Sequence, residues 1–191
     1  MASLVEKIEA DAKREFAEHV ITCEATCEAP HHLYRTWRCQ KPGTGIMAFR
    51  ITTVPDCLIV TGDLGHLMLQ RHGTGDMIPW CRGAIDSIQY FAEKVPHNIE
   101  TKSFDVDLVH KWANQELDSY GESMSREHKE MLRALVGNSE LDESEVYKRI
   151  SEYVDGCDFP NFRSYTARFL WCREAIRWFV TNLTSDASTV E

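Results

Sequence analysis

No apolar run in this chain approaches the roughly 18 residues that a membrane-spanning helix requires. The opening MASLVEKIEADAKREF carries acids where a signal peptide would carry an apolar core. The expectation is a cytoplasmic protein with no membrane contact. Proline and glycine, at six and ten residues, are too thinly spread for a hinge or low-complexity linker. The G-x-S-x-G, H-E-x-x-H and Walker patterns are also missing, so neither a catalytic residue nor a cofactor is assigned. Basic charge is scarce as well. With 21 Lys and Arg against 30 Asp and Glu, the net charge of −9 argues against direct binding of nucleic acid.

Cysteine is not scarce, but its seven positions (Cys23, Cys27, Cys39, Cys57, Cys81, Cys157, Cys172) are odd in number and lack paired spacing. Reduced and mostly buried thiols fit this pattern better than a disulfide scaffold. Cys23, Cys27, His31 and His32 form one tight group of soft-metal ligands. If 20–28 is a strand, the two cysteines stand about 13 Å apart on one face, too far to share an ion, and no metal is assigned.

The most structured stretch is 31–72, which reads as four strands joined by tight turns at Pro42-Gly43-Thr44-Gly45, Pro55-Asp56 and Gly62-Asp63-Leu64-Gly65. HVITCEATCE before it alternates and forms a fifth strand against 32–40, unless the preceding helix runs on through Cys23 and Cys27. That helix sets Leu4, Ile8, Ala12 and Phe16 at steps of four behind a Ser3 cap.

After the meander, Asp76 to Val95 reads as one or two short helices divided at Gly83. Helices follow from Asp105 to Gly121, from Ser125 to Gly137, and from an Asp142-Glu143-Ser144-Glu145 cap to near Gly156. A last helix opens at Asn161 or Ser164 and carries Tyr165, Phe169, Cys172, Ile176, Phe179 and Leu183 at steps of three and four. The fold class is α+β: an N-terminal helix, an antiparallel meander of four to five strands, then a helical C-terminal half. The expectation is a single compact α+β unit, 1–98 holding helix and meander and 99–191 helices packed on it, with 100–158 as the alternative of a helical subdomain.

Charge is distributed unevenly. Residues 100–158 hold 15 acids against 7 bases, whereas 31–99 hold 5 against 7. The acidic run is either a solvated helical face or a surface that imitates the charge of nucleic acid and occupies a basic groove on another protein. Asp105, Asp107, Glu116, Asp118, Glu122, Glu140, Asp142, Glu143 and Glu145 would carry it. Trp171 and Trp178 share a side of the last helix, roughly 130° from its main apolar stripe. They are either a second buried side or a contact face for a partner or a second copy, which makes a homodimer possible. The competing reading is an enzyme acting on a small nucleotide or phosphorylated ligand near the Gly62–His72 end of the sheet, through Asp63, His66 and His72.

Lys41-Pro42-Gly43-Thr44, Phe49, Pro55-Asp56, Gly62-Asp63-Leu64-Gly65 and the later Tyr90-Phe91-Ala92-Glu93-Lys94 resemble a family of small proteins of tailed bacteriophages and prophages. That family's pattern runs K/R-P-G/D-T, W/F, a P-G turn, then G-D-x-G, and the likeness spans about residues 15–95. Asp56 stands where the pattern has glycine. The resemblance implies a phage setting and supplies no catalytic residue. Phage accessory proteins of this size often resemble inhibitors of host defence, anti-CRISPR proteins among them. Together with the acidic 100–158 region, this sets the expectation of a protein in the host cell cytosol that binds a host protein with a basic surface, such as a nucleic-acid-handling effector.

Overall fold

The computed structural model describes residues 3–26, 33–154 and 159–183. It divides into two compact units. One takes in the chain up to Thr101 and again from Tyr165, and the other is Lys102–Ser164. The division therefore falls at 102 and 164 rather than at 98, and the last helix belongs with the sheet.

In the first unit, α1 (Leu4–Glu15) opens on Ser3, whose hydroxyl accepts from the Glu6 amide while the Glu6 carboxylate accepts from the Ser3 amide. Strands β1 (Val20–Thr26), β2 (Arg35–Gln40), β3 (Phe49–Val54), β4 (Cys57–Gly62) and β5 (Gly65–Gln70) pair antiparallel in chain order. The fifth strand is thus real, and α1 does not run through Cys23. The rest of the proposed metal group, Cys27, His31 and His32, lies outside the described residues.

Register places Trp37, Ile51, Val60 and Leu67 opposite one another across four strands, with Thr53, Leu58 and Leu69 in the parallel row. All of these are buried. Side chains alternate along each strand, so one face of the sheet is apolar and the other polar.

The connections differ in kind. Pro55-Asp56 and Asp63-Leu64 are two-residue turns, but the first link spans 41–48 and is not tight. Gly62, at φ +134°, lies so close to the chain before β3 that a Cβ would strike the Ala48 carbonyl oxygen and come within 2.7 Å of Phe49 Cα.

The apolar face is covered by α1, by α2 (Met77–Ala84), by α3 (Ile88–Ala92) and above all by α7 (Ala167–Asn182). Phe169, Leu170, Cys172, Ala175, Ile176, Phe179 and Val180 of α7 are buried, so the helix is enclosed nearly all round. Arginines join α2 and α7 reciprocally. Arg173 donates through Nε and Nη2 to the Ile85 carbonyl at 3.0 and 2.7 Å. Arg82 donates to the Val180 and Leu183 carbonyls at 2.9 and 3.2 Å. Each guanidinium thereby satisfies carbonyls that the other helix leaves open at its end. Gly83 is not the break expected there; it lies inside α2, which ends at the Ile85 carbonyl that Arg173 takes.

The second unit holds β6 (Lys102–Phe104), α4 (Val106–Tyr120), α5 (Arg126–Val136), α6 (Glu143–Ile150) and all but the last residue of β7 (Arg163–Tyr165), which closes a two-stranded ladder with β6. Val109, Ala113, Leu132, Leu135, Val146, Ile150 and Phe162 form its core. α6 stops at Ile150 instead of near Gly156, where the Ser151 hydroxyl turns back to the Lys148 carbonyl at 2.7 Å. The last helix starts later than Asn161 or Ser164. Residues 163–165 are claimed by the ladder, and Thr166 supplies the cap by accepting from the Phe169 amide.

Candidate functional site

The nine acidic residues singled out from the sequence all fall in the second unit, but they do not share one task. Asp105 caps α4 by accepting from the Asp107 amide at 3.0 Å, and Asp142 caps α6 by accepting from the Ser144 and Glu145 amides. Glu143 holds Arg163 with two bonds of 2.7 Å, and Glu145 pairs with Arg149 one turn on. The hydrogen bond from Arg163 holds the Glu143 carboxyl below its usual range. That of the Ser144 hydroxyl does the same for Asp142. Asp107, Glu116, Asp118, Glu122 and Glu140 have no ion pair among the described residues. Glu127 and Glu152 are likewise unpaired, so the unit offers seven unneutralised carboxylates among the described residues, all exposed except the half-buried Glu116.

Trp171 and Trp178 are half-buried and belong to an aromatic cluster. Phe16 stands 6.0 and 6.1 Å from their rings, and His19 and Phe49 lie 5.8 and 6.0 Å from Trp178. Beside them runs a buried charge network between α1 and α7. Arg173, only 3% exposed, donates to Glu9 at 3.2 Å and to Glu174 at 2.7 Å, and Arg177 bridges the same two carboxylates at 3.2 and 3.1 Å. Burial pushes the Glu174 carboxyl up. Burial pulls Glu9 the same way, but the hydrogen bonds from Arg173 and Arg177 outweigh it and Glu9 ends low. Sequence reasoning missed this network because its members are 164 residues apart and charge on a core-facing helix carries no motif.

The group proposed near Gly62 is dispersed. Asp63 and His66 flank the β4–β5 turn, while His72 lies beyond the other end of β5, about 20 Å from His66 along the strand. His72 sits instead near Asp56. Asp56, at φ +64°, accepts from the Gly73, Thr74 and Gly75 amides at 2.7 to 3.0 Å. A residue placed where glycine would suit the backbone thus supplies a carboxylate that organises the 71–76 loop, and the Gly75 amide foremost draws its pKa down.

The polar face of the sheet carries a different constellation. Arg38 and Arg50 lie directly opposite each other, in line with Thr61 and His66. Glu24, at the bulge in β1 between Cys23 and Ala25, accepts from both Nε atoms at 2.5 and 2.8 Å. The hydrogen bond from Arg50 holds Glu24 below its usual range. Next to the pair is a cleft of about 250 Å³ lined by Arg38, Gln40, Ala48, Arg50, Thr61 and Asp63. Among the described residues no three His, Cys, Asp or Glu side chains group as metal ligands, and no helix is long and apolar enough to cross a membrane.

Compared with known protein families, with curated protein sequences and with solved structures, the chain matches none of them.

Proposed function

We propose that this protein works by binding rather than by catalysis, its 102–164 unit presenting an acidic face to a partner protein with a basic surface. The observation that carries the reading is the set of carboxylates left unpaired, Asp107, Glu116, Asp118, Glu122 and Glu140 among them, on a unit that spends only Asp105, Glu130, Asp142, Glu143 and Glu145 on caps and bridges. Unpaired charge adds little to folding, but it steers and orients a basic partner. The likeness of the meander to phage proteins supplies the setting: inhibition of a host defence system, with a nucleic-acid-handling effector such as a CRISPR–Cas complex as target.

The test is charge reversal of Asp107, Glu116, Asp118, Glu122 and Glu140 to lysine, leaving the caps Asp105 and Asp142 and the bridge Glu143 in place so that folding is spared. Phage plating on a defended host and pull-down from its lysate are the readouts. A variant with a native melting temperature should lose both protection of the phage and its co-purifying partner. Undiminished inhibition by a folded variant would refute the acidic-face reading.

A further inference from the structure

Two arginines directly opposite on neighbouring strands repel, and like charges in that position destabilise a sheet. Arg38 and Arg50 occupy such a pair, and Glu24 is the one carboxylate bonded to either among the described residues. Two guanidiniums therefore share one negative charge. A fold that needed only a quiet sheet surface would have paired one arginine with one acid, or placed threonine there as it does in the next row at Thr36 and Thr52. Instead the surplus cation borders a cleft of about 250 Å³ whose lining also includes Thr61 and Gln40.

We infer that this cleft is a binding site for the phosphoryl group of a small phosphate monoester. The chemistry fits in three respects. Planar guanidiniums bond two oxygens of a phosphate at once, and two of them converge here from adjacent strands. A monoester carries about −1.5 to −2 charges near neutral pH, which the arginine pair, partly offset by Glu24, is suited to meet. The cleft is below the roughly 300–1,000 Å³ of sites that enclose a whole organic ligand, so it takes the phosphoryl head and leaves the rest of the molecule on the exposed sheet face towards His66. Asp63 also lines the cleft without an ion pair among the described residues, so its carboxylate opposes any anion there and the two guanidiniums have to outweigh it. This site lies on the sheet and stands independently of the acidic-face reading.

The experiment is calorimetric titration in 0.15 M NaCl with ribose 5-phosphate, and with ribose as the uncharged control. Ribose 5-phosphate should bind saturably with Kd below about 1 mM, and ribose should not bind. Arg50→Gln and Arg38→Gln, each checked for an unchanged melting temperature, should weaken binding at least about tenfold. Glu24→Gln should tighten it, because it frees the second guanidinium, a gain that a merely structural role for Glu24 would not produce. Absence of saturable heat, equal binding of ribose, or full binding by a folded Arg50→Gln variant would overturn the proposal. Tighter binding of a ten-residue oligothymidylate than of ribose 5-phosphate would overturn the monoester assignment in favour of single-stranded nucleic acid.

Discussion

Arg173→Met tests the buried network between α1 and α7. The guanidinium is 3% exposed and makes bonds to the Ile85 carbonyl, Glu9 and Glu174. Methionine keeps the aliphatic stem in place, so the loss is chiefly electrostatic. It strands Glu174, itself 6% exposed, with only Arg177, and it orphans a buried carbonyl at the end of α2. Breaking a buried pair from one side costs about 3–5 kcal/mol, and an unsatisfied carbonyl about 1–3. A net loss of about 4 kcal/mol corresponds to a fall in Tm of about 10 °C for a chain of this size.

The double variant Arg173→Met/Glu174→Gln removes the stranded charge and should recover about 2 kcal/mol of that loss. The pH dependence has a definite sign. Glu174 is raised in the fold from the ordinary 4.5, so the cost of keeping it ionised is present at neutral pH, shrinks as pH falls through the folded value, and is gone below 4.5. Glu9, held low, acts oppositely: its contribution is present above 4.5 and is lost as pH falls through its lower folded value. The deficit of Arg173→Met against the natural protein should therefore narrow between pH 7 and pH 5. Urea unfolding followed by tryptophan emission is the assay, because Trp37, Trp80, Trp171 and Trp178, four of the five tryptophans, report on this unit. A single variant within about 1 kcal/mol of the natural protein, or a double variant no better than the single, would refute the reasoning.

Gly62→Ala should cost about 3 kcal/mol, the sum of positive-φ strain and the collision with Ala48 and Phe49, and show as a drop in urea midpoint at constant slope. Asp56→Gly relieves the backbone but removes the acceptor, so hydrogen exchange at Gly73, Thr74 and Gly75 should speed up. Because Asp56 is held below the ordinary 3.8, protection of those amides in the natural protein should outlast acidification to pH 4 and fail only below it. Burial pushes the Cys81 and Cys172 thiols up to about 12, so at pH 8 iodoacetamide should leave both unmodified until urea unfolds the chain, as peptide mass mapping would show.

The helices whose apolar stripes are continuous, α1 and α4 among them, were legible with their caps because a 3.6-residue period and an N-cap are local signals. The meander was legible through alternation and its two shortest turns. Signals failed where long-range partners override local chemistry. Gly83 reads as a break, yet α2 absorbs it and ends where Arg173, 88 residues later, takes the Ile85 carbonyl. Ser164 reads as a cap, yet its neighbours pair as β7 with residues 102–104 and the helix waits for Thr166. The acids were visible as a composition bias, but composition does not separate a cap such as Asp142 from an unpaired Glu140. Arg38 and Arg50 drew no notice at all, since only strand register reveals that they face each other.

The helix that fills the centre of the first unit is made long after the sheet it covers. Some 80 residues separate Thr101 from the end of α7, about 4–16 s of synthesis at ordinary elongation rates. For that interval Trp37, Ile51, Leu58 and Leu69 have a sheet to sit on but no α7 to cover them. The nascent protein therefore emerges with its greasiest surface waiting, while the 102–164 unit, whose contacts close within its own 63 residues, finishes first. A chaperone that engages translating ribosomes should hold this chain until residue 182 clears the tunnel, and a premature stop anywhere before Tyr165 should yield an aggregate instead of a smaller folded protein.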